Sequence, residues 1–157
     1  MILAIFGTRK ESFQRLLEGL ELFHKKTGEK VIAQIGSTIN KNKIIECHDF
    51  LQNDILKSLI EKSEVVICQG GFGAILDCIQ LNANIIAVPR SEGTKECTHD
   101  QTELLNKLSD QNKIILLKDF RQIDKAIELA KKLPYDKQKS ESLNIELNKV
   151  ISLYLED

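Results

Sequence analysis

Three glycines in four positions, Gly70-Gly71-Phe72-Gly73, stand between a short apolar run and a segment of helical period. Glycine lets the main chain come close to a ligand and take positive φ. The start of a following helix adds unpaired N–H groups and a partial positive charge. Together these suit a phosphate group, although a tight strand-to-helix turn without a ligand has the same sequence. The run lacks the lysine and hydroxyl residue of a P-loop and the glycine spacing of a dinucleotide fingerprint.

A second concentration of polar chemistry runs from Arg90 to Gln101 and contains Glu92, Glu96, His99 and Asp100. Such a loop can hydrogen-bond sugar hydroxyls, and a solvated loop would look similar. His99 beside Asp100 invites a general-base role, but adjacent residues on a helix do not face each other. Thr98 and His99 equally suit a helix start. His24 reads as solvated, and His48-Asp49 is a weaker candidate for ligand contact. Cys68, in an apolar run without a cationic neighbour, reads as core and not as a nucleophile. The four cysteines, Cys47, Cys68, Cys78 and Cys97, contain no CxxC pair, so no zinc site is expected. A hydrolase nucleophile elbow is also missing.

The elements that position these residues follow from hydrophobic period. Short β-branched runs alternate with longer helical segments, the pattern of a parallel sheet covered by helices on both faces. Strands are expected over Met1–Phe6, Lys30–Ile35, Lys43–Cys47, Glu64–Cys68, Asn84–Val88 and Lys113–Leu117. Helices are expected after Ser12 as N-cap, with Phe13, Leu16, Leu17, Leu20 and Phe23 on one face. Others run over Asn53–Lys62, from the glycine turn to Leu81, from about Thr98 to Leu108, and over Ile123–Lys132. A break at Pro134–Ser140 precedes a last amphipathic helix carrying Leu143, Leu147, Val150, Ile151 and Tyr154. Ligands of such sheets bind at the carboxyl ends of the strands. That rule selects Gly7–Ser12, Gly36–Asn40, Gln69–Gly73 and Arg90–Gln101.

The chain has 157 residues, 42% of them hydrophobic, and a net charge of −1. That length suits a single domain, and the charge argues against nucleic acid as a partner. No apolar stretch approaches the roughly 20 residues needed to span a bilayer, and the start lacks the pattern of a signal peptide. A cytosolic location is therefore expected, with the cysteines as free thiols.

In order along the chain, these features resemble the carboxyl-terminal domain of GT-B glycosyltransferases of family 28, the MurG-like group. The matching residues are Gly7-Thr8, Phe13, Leu16-Leu17, Gln34-Ile35-Gly36, Asp49-Phe50-Leu51, Val65–Ile75, Ile85–Arg90 and Asp100-Gln101. The resemblance is strongest to stand-alone forms, of the PssE type or the catalytic subunit of the dolichol-linked N-acetylglucosamine transferase. It implies a Rossmann-like donor domain over 1–133, with 134–157 as linker and docking helix. It also implies a UDP-sugar as substrate, no metal or other cofactor, and a membrane-associated partner that binds the lipid-linked acceptor and recruits the chain to the membrane. Gly70, Gly71 and Gly73 would serve the diphosphate, Asp77 the ribose and Gln101 the sugar, with Gly7, Thr8 and Arg90 also among the donor-binding residues. His99 and Asp100 remain the weak candidates for catalysis. The chain departs from the family pattern at Gln69 and Phe72, where His and Pro or Ala are usual, at Asp77, usually Glu, and in Thr98-His99-Asp100-Gln101. A non-catalytic subunit that stabilises a separate transferase is the alternative. Phe6-Gly7-Thr8-Arg9 with Glu11 also resembles the opening of UDP-N-acetylglucosamine 2-epimerases.

Overall fold

Alternate residues of the apolar runs enter two different cores, because successive side chains on a strand point to opposite faces of the sheet. A computed structural model describes residues 1–90 and 102–133. Six strands, β1 (Ile2–Ile5), β2 (Val31–Gln34), β3 (Glu46–His48), β4 (Val65–Gln69), β5 (Ile85–Val88) and β6 (Ile115–Leu116), form one sheet in the order β3-β2-β1-β4-β5-β6. Every neighbouring pair is parallel. Ile2, Ala4, Val65, Ile67, Ile86 and Val88 pack beneath α1 (Gln14–Thr27) and α5 (Ile123–Lys132). Leu3, Ile5, Val66, Cys68, Ile85 and Ala87 face α2 (Asn53–Lys62), α3 (Phe72–Gln80) and α4 (Thr102–Asp110). Burial on both faces explains why these strands read as continuous apolar runs and do not alternate with polar residues. Each fully buried Leu, Ile or Val contributes roughly 1.5–3 kcal/mol from leaving water.

Sheet order and coverage match the Rossmann-like α/β expectation, and α2 and α5 match the bounds read from sequence. Three local details differ. Ser12 does not cap α1. The N-cap is Phe13, which lends no side-chain cap, and its own N–H donates to Thr38 Oγ1 at 2.9 Å. A hydroxyl from the loop after β2 thus does from a distance what a local serine was expected to do. β3 lies later than Lys43–Cys47: Lys43 sits at φ 51, outside extended space, and pairing with β2 begins at Ile32↔Glu46. β6 is only two residues long. The described part of α4 begins at Thr102; the expected start near Thr98 and the helix over 143–154 lie outside the described residues.

Candidate functional site

β1 and β4 are neighbours at the centre of the sheet, and the chain leaves them toward opposite edges. Their carboxyl ends therefore flank the topological switch point, where sheets of this kind form a crevice. The helices that begin there are α1 and α3. Among the described helices these two alone lack an acidic residue in the first turn; α2, α4 and α5 carry Asp54, Glu103 and Asp124. An acidic side chain would offset the positive end of a helix. At the switch point both positive ends are left without one.

The glycine turn enters α3 directly. Gly71 is the N-cap in extended geometry (φ −74°, ψ 137°) and provides no side-chain cap. Positive φ, expected for this turn, is absent from it and belongs to Gly7 (77°) and Gly36 (54°) in the neighbouring loops. An extended residue leads straight into the helix, so no left-handed step is needed. The glycines serve close approach instead. A Cβ on Gly71 would lie 3.0 Å from Gln69 Nε2, whereas one on Gly73 would meet nothing within 4 Å. Gly70 N–H is held by Val88 O at 3.1 Å, which ties the turn to β5. Gly73 and Asp77 are four residues apart and share the outer face of α3. The Asp77 carboxylate is half-buried and has no partner among the described residues.

Beneath this surface lies a polar clamp. Arg90, 4% exposed, donates from Nε to Gln69 Oε1, from Nη1 to Glu11 O (3.0 Å) and from Nη2 to Phe6 O (3.0 Å). Its guanidinium also stacks on Phe13, 4.7 Å from the ring centroid, a contact that favours a cation. The Gln69 carboxamide occupies the space that a Cβ on Gly7 would fill. Phe6 meets Phe13 edge-on at 5.9 Å, and Arg15 Nη2 reaches Pro89 O at 3.0 Å. The loops after β1, β4 and β5 are thus joined through one arginine and one glutamine. Five rigid donors make arginine the residue for such a task.

Of the residues expected at the site, Gly7, Thr8, Gly70, Gly71 and Gly73 come together on the loops at the switch point, with Thr8 exposed. Asp77 stands one turn along α3. Arg90 is in the same region but buried within the clamp, where it donates to the protein's own carbonyls. His99, Asp100 and Gln101 lie outside the described residues. His48 is taken up by Glu46, at 3.1 Å; that bond, with Lys30 nearby, holds the Glu46 carboxyl below its usual range. His24 Nδ1 lies 2.8 Å from Glu29 O at the end of α1 and is half-buried where a solvated ring was expected. Cys68 is core as expected: a hydrogen bond with Cys78, and then burial, raise its thiol pKa well above the ordinary value. Sequence reading gave no role to Gln69, Thr38 or Gln34, all buried. A polar residue ending an apolar strand, as Gln69 and Gln34 do, was the available signal.

The profile of the glycosyltransferase family 28 C-terminal domain matches residues 3–150. Curated protein sequences contain no match. Among solved structures, the calicheamicin glycosyltransferase CalG4 superposes with a TM-score of 0.66 at 14% identity, over 96% of this chain and 38% of its own. MurG of Acinetobacter baumannii gives 0.53 at 14% identity, over 83% of this chain and 39% of its own. The UDP-GlcNAc 2-epimerase of Methanocaldococcus jannaschii gives 0.59 at 13% identity, over 94% and 45%. At such identities the likeness is one of fold, and the chain spans less than half the length of these proteins. The length and position of the profile match settle the family: this chain belongs to the glycosyltransferase family 28 C-terminal domains and has the fold of the carboxyl-terminal half of GT-B glycosyltransferases.

Proposed function

We propose that this chain is the donor-binding, catalytic subunit of a two-component inverting glycosyltransferase that takes its sugar from a UDP-sugar. The observation that carries the reading is the pair of uncompensated helix starts at the switch point, α1 and α3, beneath glycine-lined loops. A diphosphate laid there meets main-chain N–H groups and two positive helix ends. As the bond to the sugar breaks, negative charge grows on that diphosphate. Dipoles already aimed at it stabilise the transition state without reorganising. Asp77, unpartnered and one turn from Gly73, is placed to accept from the ribose hydroxyls. Arg90 acts at one remove, holding the loops of β1, β4 and β5 in register. His99 and Asp100 are the candidates for proton transfer at the acceptor, and Gln101 for the donor sugar. UDP-sugar is the substrate and no other cofactor takes part.

The acceptor side is assigned to a second, membrane-associated protein carrying a lipid-linked acceptor. Support comes from the resemblance to stand-alone donor domains; the part matched is 38% of the length of CalG4 and 39% of that of MurG. Among the described residues no helix is long and apolar enough to cross a membrane, so membrane recruitment is also assigned to the partner.

The test is calorimetric titration of the chain with UDP, with ADP as control, on the wild type and on Gly73→Val. A Cβ at position 73 would meet nothing within 4 Å, so this variant is expected to block the surface while the fold stays intact. Specific UDP binding that falls at least tenfold in Gly73→Val supports the donor site. Unchanged binding in the variant, or equal affinity for ADP, overturns it. In the reconstituted complex, transfer lost in Asp77→Ala and Gln101→Ala separates a catalytic subunit from one that only stabilises its partner.

A further inference from the structure

A cavity of about 730 Å³ opens at the β2–β3 side of the carboxyl edge, away from the glycine turn. Its walls include Ser37, Asn40, Lys43 and Asp49 as polar groups and Ile39 and Ile45 as apolar ones. The size is that of a small-molecule site, and the mixture of apolar wall and few polar groups is typical of one. Main-chain bonds hold it open. Gly36 N–H donates to Asp49 O at 2.9 Å, Thr38 N–H to Ile35 O at 3.0 Å, and Lys43 N–H to Asn40 Oδ1 at 3.0 Å. Lys43 is kept in the left-handed region, at φ 51, by that last bond. A side chain other than glycine takes that conformation at a cost of about 1–2 kcal/mol, and here the residue that takes it lines the cavity.

Two charged groups of this wall, Lys43 and Asp49, are without partners of their own among the described residues: neither the ammonium nor the carboxylate has an ion pair or hydrogen bond. Behind the wall, Glu21 is 4% exposed. Its Oε2 accepts from Asn42 Nδ2 at 2.8 Å, while its Oε1 is buried with no partner among the described residues. A buried acceptor left unsatisfied costs about 1–3 kcal/mol, and Glu21 itself does not line the cavity. Cys47 lines the same cavity and lies close enough to Glu21 to feel its charge. Burial first, then the Glu21, Asp49 and Glu46 carboxylates, push its thiol up to about 11. The thiol therefore stays protonated and takes no part as a nucleophile.

The charges decide the ligand class. The lining carries one cation, Lys43, and two carboxylates, Asp49 and Glu46, the second already paired with His48 and Lys30. A phosphate would meet more negative than positive charge. A neutral group bearing several hydroxyls satisfies donors and acceptors together, since each hydroxyl both gives and accepts. We propose that this cavity binds a sugar ring, separate from the donor nucleotide, as part of an acceptor or of the growing glycan. The assignment rests on the glycosyltransferase reading only in naming a sugar as the hydroxyl-rich group; the site itself rests on the cavity and its unpartnered lining.

The experiment is a nuclear magnetic resonance titration of the amide signals of the whole chain. The ligands are glucose, galactose, N-acetylglucosamine and the disaccharide lactose, each to 50 mM, with UDP and inorganic pyrophosphate in parallel. The expected result is saturable shifts at Gly36, Ser37, Asn40 and Asp49 with at least one sugar. The affinity should fall about tenfold in Asp49→Ala and a few-fold in Ser37→Ala, both exposed positions whose loss spares the core. UDP is expected to shift Gly71 and Gly73 and leave the cavity signals unmoved. Failure of every sugar to shift the cavity signals, or shifts of equal strength in Asp49→Ala, overturns the proposal whatever UDP does. Shifts of the cavity signals by UDP or pyrophosphate overturn it as well, because the cavity then belongs to an anionic ligand. Loss of UDP binding with sugar shifts intact leaves the cavity site standing and removes the donor reading alone.

Discussion

The two edges of the sheet are built by different means. At the amino edge, charged groups pair at or near the surface. The Met1 ammonium donates to Glu64 Oε1 at 2.6 Å, Lys131 meets Glu29 at 3.0 Å, and Lys30 meets Glu46 at 3.5 Å. Left-handed residues there are helix ends, Gly28 after α1, Asn82 after α3 and Asn112 after α4. That is the ordinary use of the conformation. At the carboxyl edge four polar side chains are buried. Gln34, Thr38, Gln69 and Arg90 are all nearly inaccessible, and left-handed Gly7 and Gly36 bring one loop against another. Exposed pairs are worth at most about 1 kcal/mol and tolerate exchange. A buried network tolerates little, because each lost partner strands another polar group. The contrast separates an edge that only closes the fold from one that fixes loop positions.

The comparison breaks most visibly at Arg90. Arg90→Ala strands Phe6 O, Glu11 O and Gln69, and should destabilise the protein by about 3–5 kcal/mol in chemical denaturation. Arg90→Lys should recover little, since an ammonium lacks the fork that reaches these acceptors at once. A loss under 1 kcal/mol would mean that the clamp is ornamental. Next comes Gly7→Ala, which adds a Cβ at φ 77° into space held by the Gln69 carboxamide. A loss of about 2–4 kcal/mol is expected from backbone strain and overpacking.

Smaller effects sharpen the contrast. Gly73→Ala should weaken UDP binding several-fold yet raise stability by about 0.5 kcal/mol, because alanine restricts the unfolded chain and suits a helix. A gain in stability without a loss in affinity would move the donor away from α3. The amino edge should yield least. The Glu64 carboxyl is held below its ordinary value of 4.5 by its hydrogen bond to the Met1 ammonium and then by that charge. A lowered folded value means stabilisation that is complete above the unfolded value and is lost as pH falls through the folded one. Since Glu64 is more than half exposed, Glu64→Gln should cost about 0.5 kcal/mol or less at pH 7. The difference from wild type should shrink below pH 4.5.

The cores were largely legible in sequence, because strands buried on both faces announce themselves as apolar runs and α2 and α5 have clear period. The carboxyl edge was legible only in outline. Its loops were identified by the rule for parallel sheets, but their internal order was not. Thr38 holding the N–H of Phe13, 25 positions away, has no local signature, so Ser12 read as the cap. Glycines 70, 71 and 73 suggested positive φ, while the left-handed glycines of this edge are Gly7 and Gly36. Arg90 read as a residue of a polar loop facing a ligand. Its burial follows from acceptors on loops that the sequence does not place beside it. Local pattern reports what a residue is next to in the chain, and this edge is made of contacts that are distant in the chain.

That distance has a kinetic consequence. The bonds of Arg90 to Glu11 and Phe6 span 79 and 84 positions, and even its partner Gln69 is 21 positions away. None can close before β1, β4 and β5 have assembled side by side, and closing such long loops comes late in folding. The clamp is therefore absent from the rate-limiting ensemble, and its removal should leave the refolding rate nearly unchanged while speeding unfolding. It follows that the loops of the carboxyl edge are expected to be the last fastened and the first to come undone.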